Sequence, residues 1–399
     1  MIFKDFLKFG TVEGQSFGKY TLLRQIASGG MADIYLARQA GAEGFAKDIT
    51  IKKIKEQFTK KKSFVKMFQN EAKLAALLSH PNICQIFDLG QVGDSYFIAM
   101  EYIQGRDMNR IVNVSNRAGI PFPMEYALKI ASNCCEGLYY AHTKTDSSGN
   151  PLNIVHRDVT PENIMVSFDG GVKILDFGIA KAGTLFDSEK PGEVRGKLSF
   201  LSPEAVRIKD VDHRADIFSL GAVLYEWITG YRLFTGESDE SIMRSIVEGK
   251  INPPSYFKPD TPRQVETILM KALEKDREKR YQNAWDMQYD IDTFLTQHEF
   301  TPSNVHLANF LKQLFKEELD NERKTTPHEG AGTPLPPPVP HVAQPQPAVH
   351  AHASSNGSQT VSVKVSNEDM AQLNELSRKH GVPLDKLFSE IVKMYLRYR

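Results

Sequence analysis

From Tyr20 to about His298, short apolar runs alternate with Gly, Pro and Asp turns, the texture of a packed globular domain. The stretch "DITIKKI" (48–54) has a period of two, which sets Thr50, Lys52 and Ile54 on one face of a strand and Lys53 on the other. "FVKMFQNEAKLAALLSHPNI" is expected to be a helix that ends at Pro81, and "YFIAMEYIQG" (96–105) an apolar strand leading into a connector. "ALKIASNCCEGLYYAH" reads as a helix with Cys134 and Cys135 as buried small side chains. "SNVHLANFLKQLFKEELDNER" predicts one amphipathic helix, its stripe made by Leu307, Phe310, Leu311, Leu314 and Phe315, packed on the preceding domain as an extension over 299–322.

Beyond it the pattern changes. Residues 323–358 are rich in Pro, Ala, Gln and His and nearly free of large apolar residues, so too little surface can be buried to offset ordering entropy. A disordered linker is expected, and His341, His350 and His352 read as part of it rather than as metal ligands. Regular periodicity returns in 359–399. Val361, Val363 and Val365 alternate with Ser362, Lys364 and Ser366; Ser366 or Asn367 can then cap the helix "EDMAQLNELSRKH", which Gly381 stops. Pro383 opens a second helix carrying Leu384, Leu387, Phe388, Ile391, Tyr395 and Tyr398 at helical spacing.

Composition narrows the class. The 49 basic and 49 acidic residues cancel, so no global field attracts nucleic acid or an anionic membrane. Three cysteines (Cys84, Cys134, Cys135) form neither a metal-ligand spacing nor a disulfide framework, which fits a reducing cytoplasm. The extension over 1–19 lacks a signal-peptide core, and no apolar run reaches the roughly 18 residues a membrane span needs.

The chemistry lies in fragments that follow one another in a set order. They are "IASGGMADIYLAR" (26–38), Lys52 in its strand, Glu71 nine residues before His80, and "HRDVTPEN" (156–163). "DFG" at 176–178 follows, 13 residues after Asn163, then "LSPE" (201–204), "DHRADIFSLGAVLYEWITG" (212–230) and Arg280 in "KDREKRYQNA". In this order the fragments resemble the bacterial Hanks-type (eukaryotic-like) serine/threonine protein kinases over residues 20–298. The resemblance implies an α+β, two-lobed protein kinase fold. Its N-lobe (20–102) would be a five-stranded antiparallel sheet with helix C, and its C-lobe (103–298) mainly α.

The resemblance also assigns roles. ATP would lie between the lobes, covered by Ile26, Ala27, Gly29, Gly30 and Ile34, although alanines at 27 and 32 replace two of the family's three glycines. Lys52, with Lys53 as the alternative, would hold the phosphates and Glu71 would lock that lysine. Met100 would be the gatekeeper, and Glu101 and Ile103 would offer backbone groups to adenine. Asp158 would be the catalytic base, while Asn163 and Asp176 would hold Mg²⁺. Asp216 would tie down the catalytic loop, and Arg280 would pair with Glu204. Arg157 would meet a phosphate on the activation segment, with Thr184 and Ser188 as candidate phosphosites and Ser199 a lesser one. The insertion "HTKTDSSGNPLN" reads as a surface hairpin.

One departure touches the chemistry. The family lysine two residues after the base is Thr160 here, and the threonine of the family's Gly-Thr pair is Lys197. The two positions touch in the family fold, so Lys197 is expected to reach the γ-phosphate while Thr160 bonds back to it.

The C-terminal β-α-α pattern is similar to ribbon-helix-helix modules. It implies a homodimer through 359–399, with DNA contact resting only on Thr360, Ser362 and Lys364. The expected function is phosphoryl transfer from ATP to Ser or Thr of protein substrates, with autophosphorylation, in cytoplasmic signalling and without membrane contact. The alternatives are a nucleotide-binding pseudokinase scaffold and a DNA-binding regulator with a kinase sensor domain.

Overall fold

The computed structural model describes residues 14–177, 197–207, 209–297 and 302–325. These belong to the first of two compact units, Met1–Pro327. The expected activation-segment phosphosites Thr184 and Ser188, the linker and the C-terminal module lie outside the described residues.

The N-terminal lobe is an antiparallel sheet of β1 (Gln15–Phe17), β2 (Tyr20–Ser28), β3 (Ala32–Ala40), β4 (Ala46–Ile54), β5 (Ile86–Val92) and β6 (Ser95–Glu101). Its order is β1-β2-β3-β4-β6-β5, six strands where five were expected. The extra strand forms because Phe17 and Tyr20 close a hairpin and both bury their rings against Phe97. The period of two in β4 holds. Ile49 and Ile51 join the cluster of Phe17, Tyr20, Leu22 and Phe97 on one face of the sheet. On the other face Ile54 packs with Phe68 and Ala72 of helix α1 (Lys62–Ala75). That helix stops six residues short of Pro81, since the chain must turn there to bury Leu78 and Ile83 completely.

Strand β7 (Gly105–Asp107) leaves the hinge and pairs with β8 (Ile164–Ser167), which pairs with β9 (Val172–Ile174). A Cβ on Gly105 would sit 2.2 Å from the Val166 carbonyl oxygen, so only glycine lets these two backbones approach. The helices of the second lobe are α2 (Met108–Arg117), α3 (Met124–His142), α4 (Arg214–Thr229), α5 (Asp239–Glu248), α6 (Arg263–Ala272) and α7 (Ala284–Gln297). In α4 buried residues cover every face, as expected of a helix at the centre of a lobe. Cys134 and Cys135 are fully buried in α3. The "HTKTDSSGNPLN" insertion is a surface hairpin closed by a Thr145–Pro151 bridge.

The expected single C-terminal helix is two, α8 (Asn304–Leu314) and α9 (Lys316–Thr325). The break falls at Phe315, which leaves helical geometry (φ −106°, ψ 20°) and buries its ring. The apolar stripe ends at that ring, and the polar sequence after it follows a different surface.

Candidate active site

The inter-lobe cleft gathers charge at its floor. Lys52 Nζ, from β4, lies 2.8 Å from Asp176 Oδ1 and 3.5 Å from Glu71 Oε1 of α1. Burial alone would lower the Lys52 pKa, but the Asp176 and Glu71 carboxylates outweigh it and hold the ammonium above its ordinary value. Lys53 points the other way, 5.5 Å above the Phe17 ring, so Lys52 is the lysine that faces the cleft. Apolar walls come from Ala75, Cys84, Ile86, Ile98, Met100 and Ile174. Burial pushes the Cys84 thiol up to about 12, so it is a neutral wall residue.

Above the cleft, Ile26 and Ala27 end β2, Gly29 and Gly30 form the turn, and Ile34 faces Ala27 across the hairpin. The Gly29 amide donates to the Ala32 carbonyl (2.9 Å), which closes that turn. At the hinge, the Glu101 amide donates to the Gln85 carbonyl (2.8 Å), and the Cys84 thiol lies 3.8 Å from the Glu101 carbonyl. Ile103, two residues on, is buried.

The catalytic loop hangs from one carboxylate. Asp216, fully buried on α4, accepts the amides of His156 (2.7 Å) and Arg157 (2.8 Å) and lies 2.8 Å from His142 Nε2. Burial raises the Asp216 pKa, yet the bond and charge of His142 and the neighbouring amide prevail, so it lies below the ordinary carboxylate value. Arg157 is held in the left-handed region (φ 64°), which the two amide bonds to Asp216 enforce. His156 Nε2 reaches the Leu175 carbonyl (2.8 Å) and its ring lies 4.6 Å from that of Phe177, joining the loop to the segment that carries Asp176. The Leu175 amide in turn donates to the Asn163 carbonyl (2.8 Å).

Asp158 is 6% exposed. Asn163 Nδ2 donates to its main-chain carbonyl (2.8 Å) and to its Oδ2 (2.7 Å), so the Asn163 amide oxygen is the atom left for a cation. Lys197 Nζ stands 3.6 Å from the same Oδ2. The Thr160 side chain is also close in sequence, but its buried hydroxyl has no hydrogen-bond partner among the described residues. The expected bond from Thr160 to Lys197 is therefore not made: the ammonium turns to a carboxylate, a stronger partner than a neutral hydroxyl. Ser199 is 2% exposed, which removes it as an accessible phosphosite in this conformation. Arg280 forks onto Glu204 (2.8 and 3.2 Å) in a buried pair.

The site also uses residues the sequence did not single out. His142 supports Asp216 across 74 residues, and Cys84 lines the cleft. Neither has a local pattern that names its partner.

Residues 20–290 match the family model of the protein kinase domain. The chain belongs to the protein kinase family. It is 41% identical over 313 residues to the tyrosine-protein kinase MasK of Myxococcus xanthus, covering 78% of this chain and 48% of that protein. It is 35% identical over 276 residues to the serine/threonine-protein kinase PrkC of Bacillus subtilis, covering 69% and 40%. This protein kinase thus spans under half the length of these two relatives. Its fold is that of the Mycobacterium tuberculosis PknI kinase domain, with a TM-score of 0.54 at 24% identity over 71% of this chain and 99% of the other. No helix among the described residues is long and apolar enough to cross a membrane.

Proposed function

We propose that the chain is an active protein kinase that transfers the γ-phosphate of ATP to Ser or Thr hydroxyls, in bacterial signalling. The observation that carries this reading is the 3.6 Å approach of Lys197 to Asp158, which returns a cation to a loop that lacks the family lysine. A pseudokinase scaffold would have no use for it.

Mg²⁺ fits the donor set. It prefers hard oxygens and few protein ligands, and the Asn163 amide oxygen with the Asp176 carboxylate offers that pair. Among the described residues no group of three or more His, Cys, Asp or Glu makes a denser cage. Held by these two residues, the ion would supply charge neutralisation at the phosphates of ATP. Glu101 and Ile103 present backbone groups to adenine, and the turn at Gly29 and Gly30 covers the phosphates. Lys52, steadied by Glu71, would hold the α- and β-phosphates. Asp158 orients the acceptor hydroxyl and takes its proton, with its carboxylate fixed by Asn163. Lys197 neutralises charge developing on the transferred group.

A second reading of the acceptor, tyrosine, draws on the name of the 41% relative. A third element of the proposal is a homodimer formed by residues 359–399 through a ribbon-helix-helix arrangement, with DNA contact as a further role of that segment and the cytoplasm as the site of action.

Incubation of the full chain with labelled ATP and Mg²⁺ tests the activity. Label is expected on Ser or Thr after acid hydrolysis, and none in Asp158→Asn or Lys52→Met protein of native stability. Label confined to tyrosine would establish the second reading; label unchanged in Asp158→Asn would remove Asp158 as the base.

A further inference from the structure

Helices α8 and α9 lie beyond residue 290, outside the kinase family match, yet they are built into the domain. Leu307, Leu311 and Phe315 are buried in the C-lobe core. At the β8–β9 turn, Gly170 (φ +85°) lies so close to the Asn304 carbonyl that any Cβ would collide with it, which seats the start of α8.

The other end of this appendage is fastened beside the hinge by Arg106. This residue sits on β7, directly after the hinge and opposite Val166 of β8. Its guanidinium lies 5.0 Å from the Phe168 ring and 5.5 Å from the Phe315 ring. Nη2 donates to Glu318 (3.2 Å) and Glu322 (2.8 Å) of α9, while Nη1 donates to the Gly105 carbonyl (2.9 Å). Arg110 adds two bonds of 2.9 Å to Glu318, so two cations face two carboxylates. Arg106 is 12% exposed and its partners Glu318 and Glu322 are 29% and 32% exposed, so these bonds are partly shielded from the solvent that weakens surface pairs. The Gln104 carbonyl, in the hinge, accepts the Phe168 amide (2.9 Å), so the ring beneath Arg106 belongs to a residue bonded to the hinge backbone. Burial raises the pKa of Tyr102, half-way along the hinge, and the charges of Arg24, Glu322 and Arg106 act on it more weakly.

We infer that Arg106 is a positioning residue for ATP: clamped to Glu318 and Glu322 of α9, it fixes the hinge backbone against which adenine lies. The inference rests on the cleft taking ATP as proposed above. A strand tied by its own side chain to a buried ring and a docked helix has few alternative positions. The hinge amide and carbonyl groups are then set before the nucleotide arrives, and binding does not bear the cost of ordering them. The residue touches neither the base nor the metal ligands, so it acts on nucleotide binding and not on the chemical step.

Calorimetry of the full chain with a non-hydrolysable Mg·ATP analogue tests this against kcat measured at saturating ATP. Arg106→Met keeps the packing stem and loses the fork; Glu318→Gln with Glu322→Gln keeps the shape and loses the charge. Both are expected to raise Kd about five- to twentyfold while kcat stays within about twofold, with Arg106→Lys between them and the wild type. Nucleotide should slow hydrogen exchange at 318–322 in the wild type, because coupling between two sites is reciprocal. Unchanged Kd in the double glutamine variant, with or without lower stability, overturns the inference and leaves a clamp that only supports the fold. That variant decides alone if Arg106→Met does not fold. A wild type that binds no nucleotide overturns the ATP reading itself, a result separable from unchanged binding in the variants.

Discussion

The ammonium of Lys197 reaches Asp158 from the far side of the catalytic loop, from a segment 39 residues beyond the base (197 − 158). Its side chain is 42% exposed, so in the ground state the pair adds little stability. In the proposed reaction its use lies in the transition state, where negative charge grows on the transferred group. Lys197→Ala is therefore expected to lower kcat by roughly 10²–10³ with little change in ATP affinity, by analogy with removal of one oxyanion donor. The exchange Thr160→Lys with Lys197→Thr should recover part of that loss, and steady-state kinetics of the three variants checks both statements. Equal kcat in Lys197→Ala and wild type would make the lysine a bystander. At this scale the sequence was informative where spacing is fixed by bonding. The spacing of Asp158 and Asn163 brings them into hydrogen bond (2.7 Å), and Asp176 meets Lys52 (2.8 Å). The idle hydroxyl of Thr160 was not legible, since which of two partners a flexible lysine selects depends on burial.

Among elements, the long helices were readable and their ends were not. The stripe from Leu307 to Phe315 gave the existence of α8, but only the core decides that Phe315 turns inward and stops it. The same holds for α1, which yields to the burial of Leu78. The β1 strand escaped notice because three residues carry too short a pattern. Helix α4 was legible by its resemblance to a family fragment, and its Asp216 accepts the His156 and Arg157 amides. Asp216→Ala leaves two amides and His142 without their acceptor in a dry interior, which costs about 3–5 kcal/mol. A lower denaturation midpoint together with near-complete loss of activity is expected. The wild type should share a milder form of this at low pH. Because the folded Asp216 pKa lies below the ordinary carboxylate value, its contribution is present above about pH 4 and disappears as pH falls through the folded pKa. Stability of wild type and Asp216→Asn should therefore converge on acidification, which denaturant titrations at several pH values would measure.

For the whole molecule, the prediction concerns the segment after the kinase domain. The sequence pattern of residues 359–399 predicts one apolar strand face and two striped helices, too little chain to bury those faces alone. Light scattering is expected to give twice the chain mass for the full protein and a monomer for a chain ending at Pro327. Val363→Lys should also give a monomer, because it sets a charge in the face that pairs. A dimer that survives the truncation would move the interface elsewhere.

The two amide bonds that suspend the catalytic loop from Asp216 have a further effect during folding. Their partners are 60 and 59 residues apart, so closing them brings together chain segments that random motion rarely joins. Contacts of this kind slow folding, because the entropy of loop closure is lost before they contribute. A nascent or partly opened chain can thus possess a nucleotide-facing N-lobe and still have no base in position. The proposed base therefore comes into position only when these two distant bonds close.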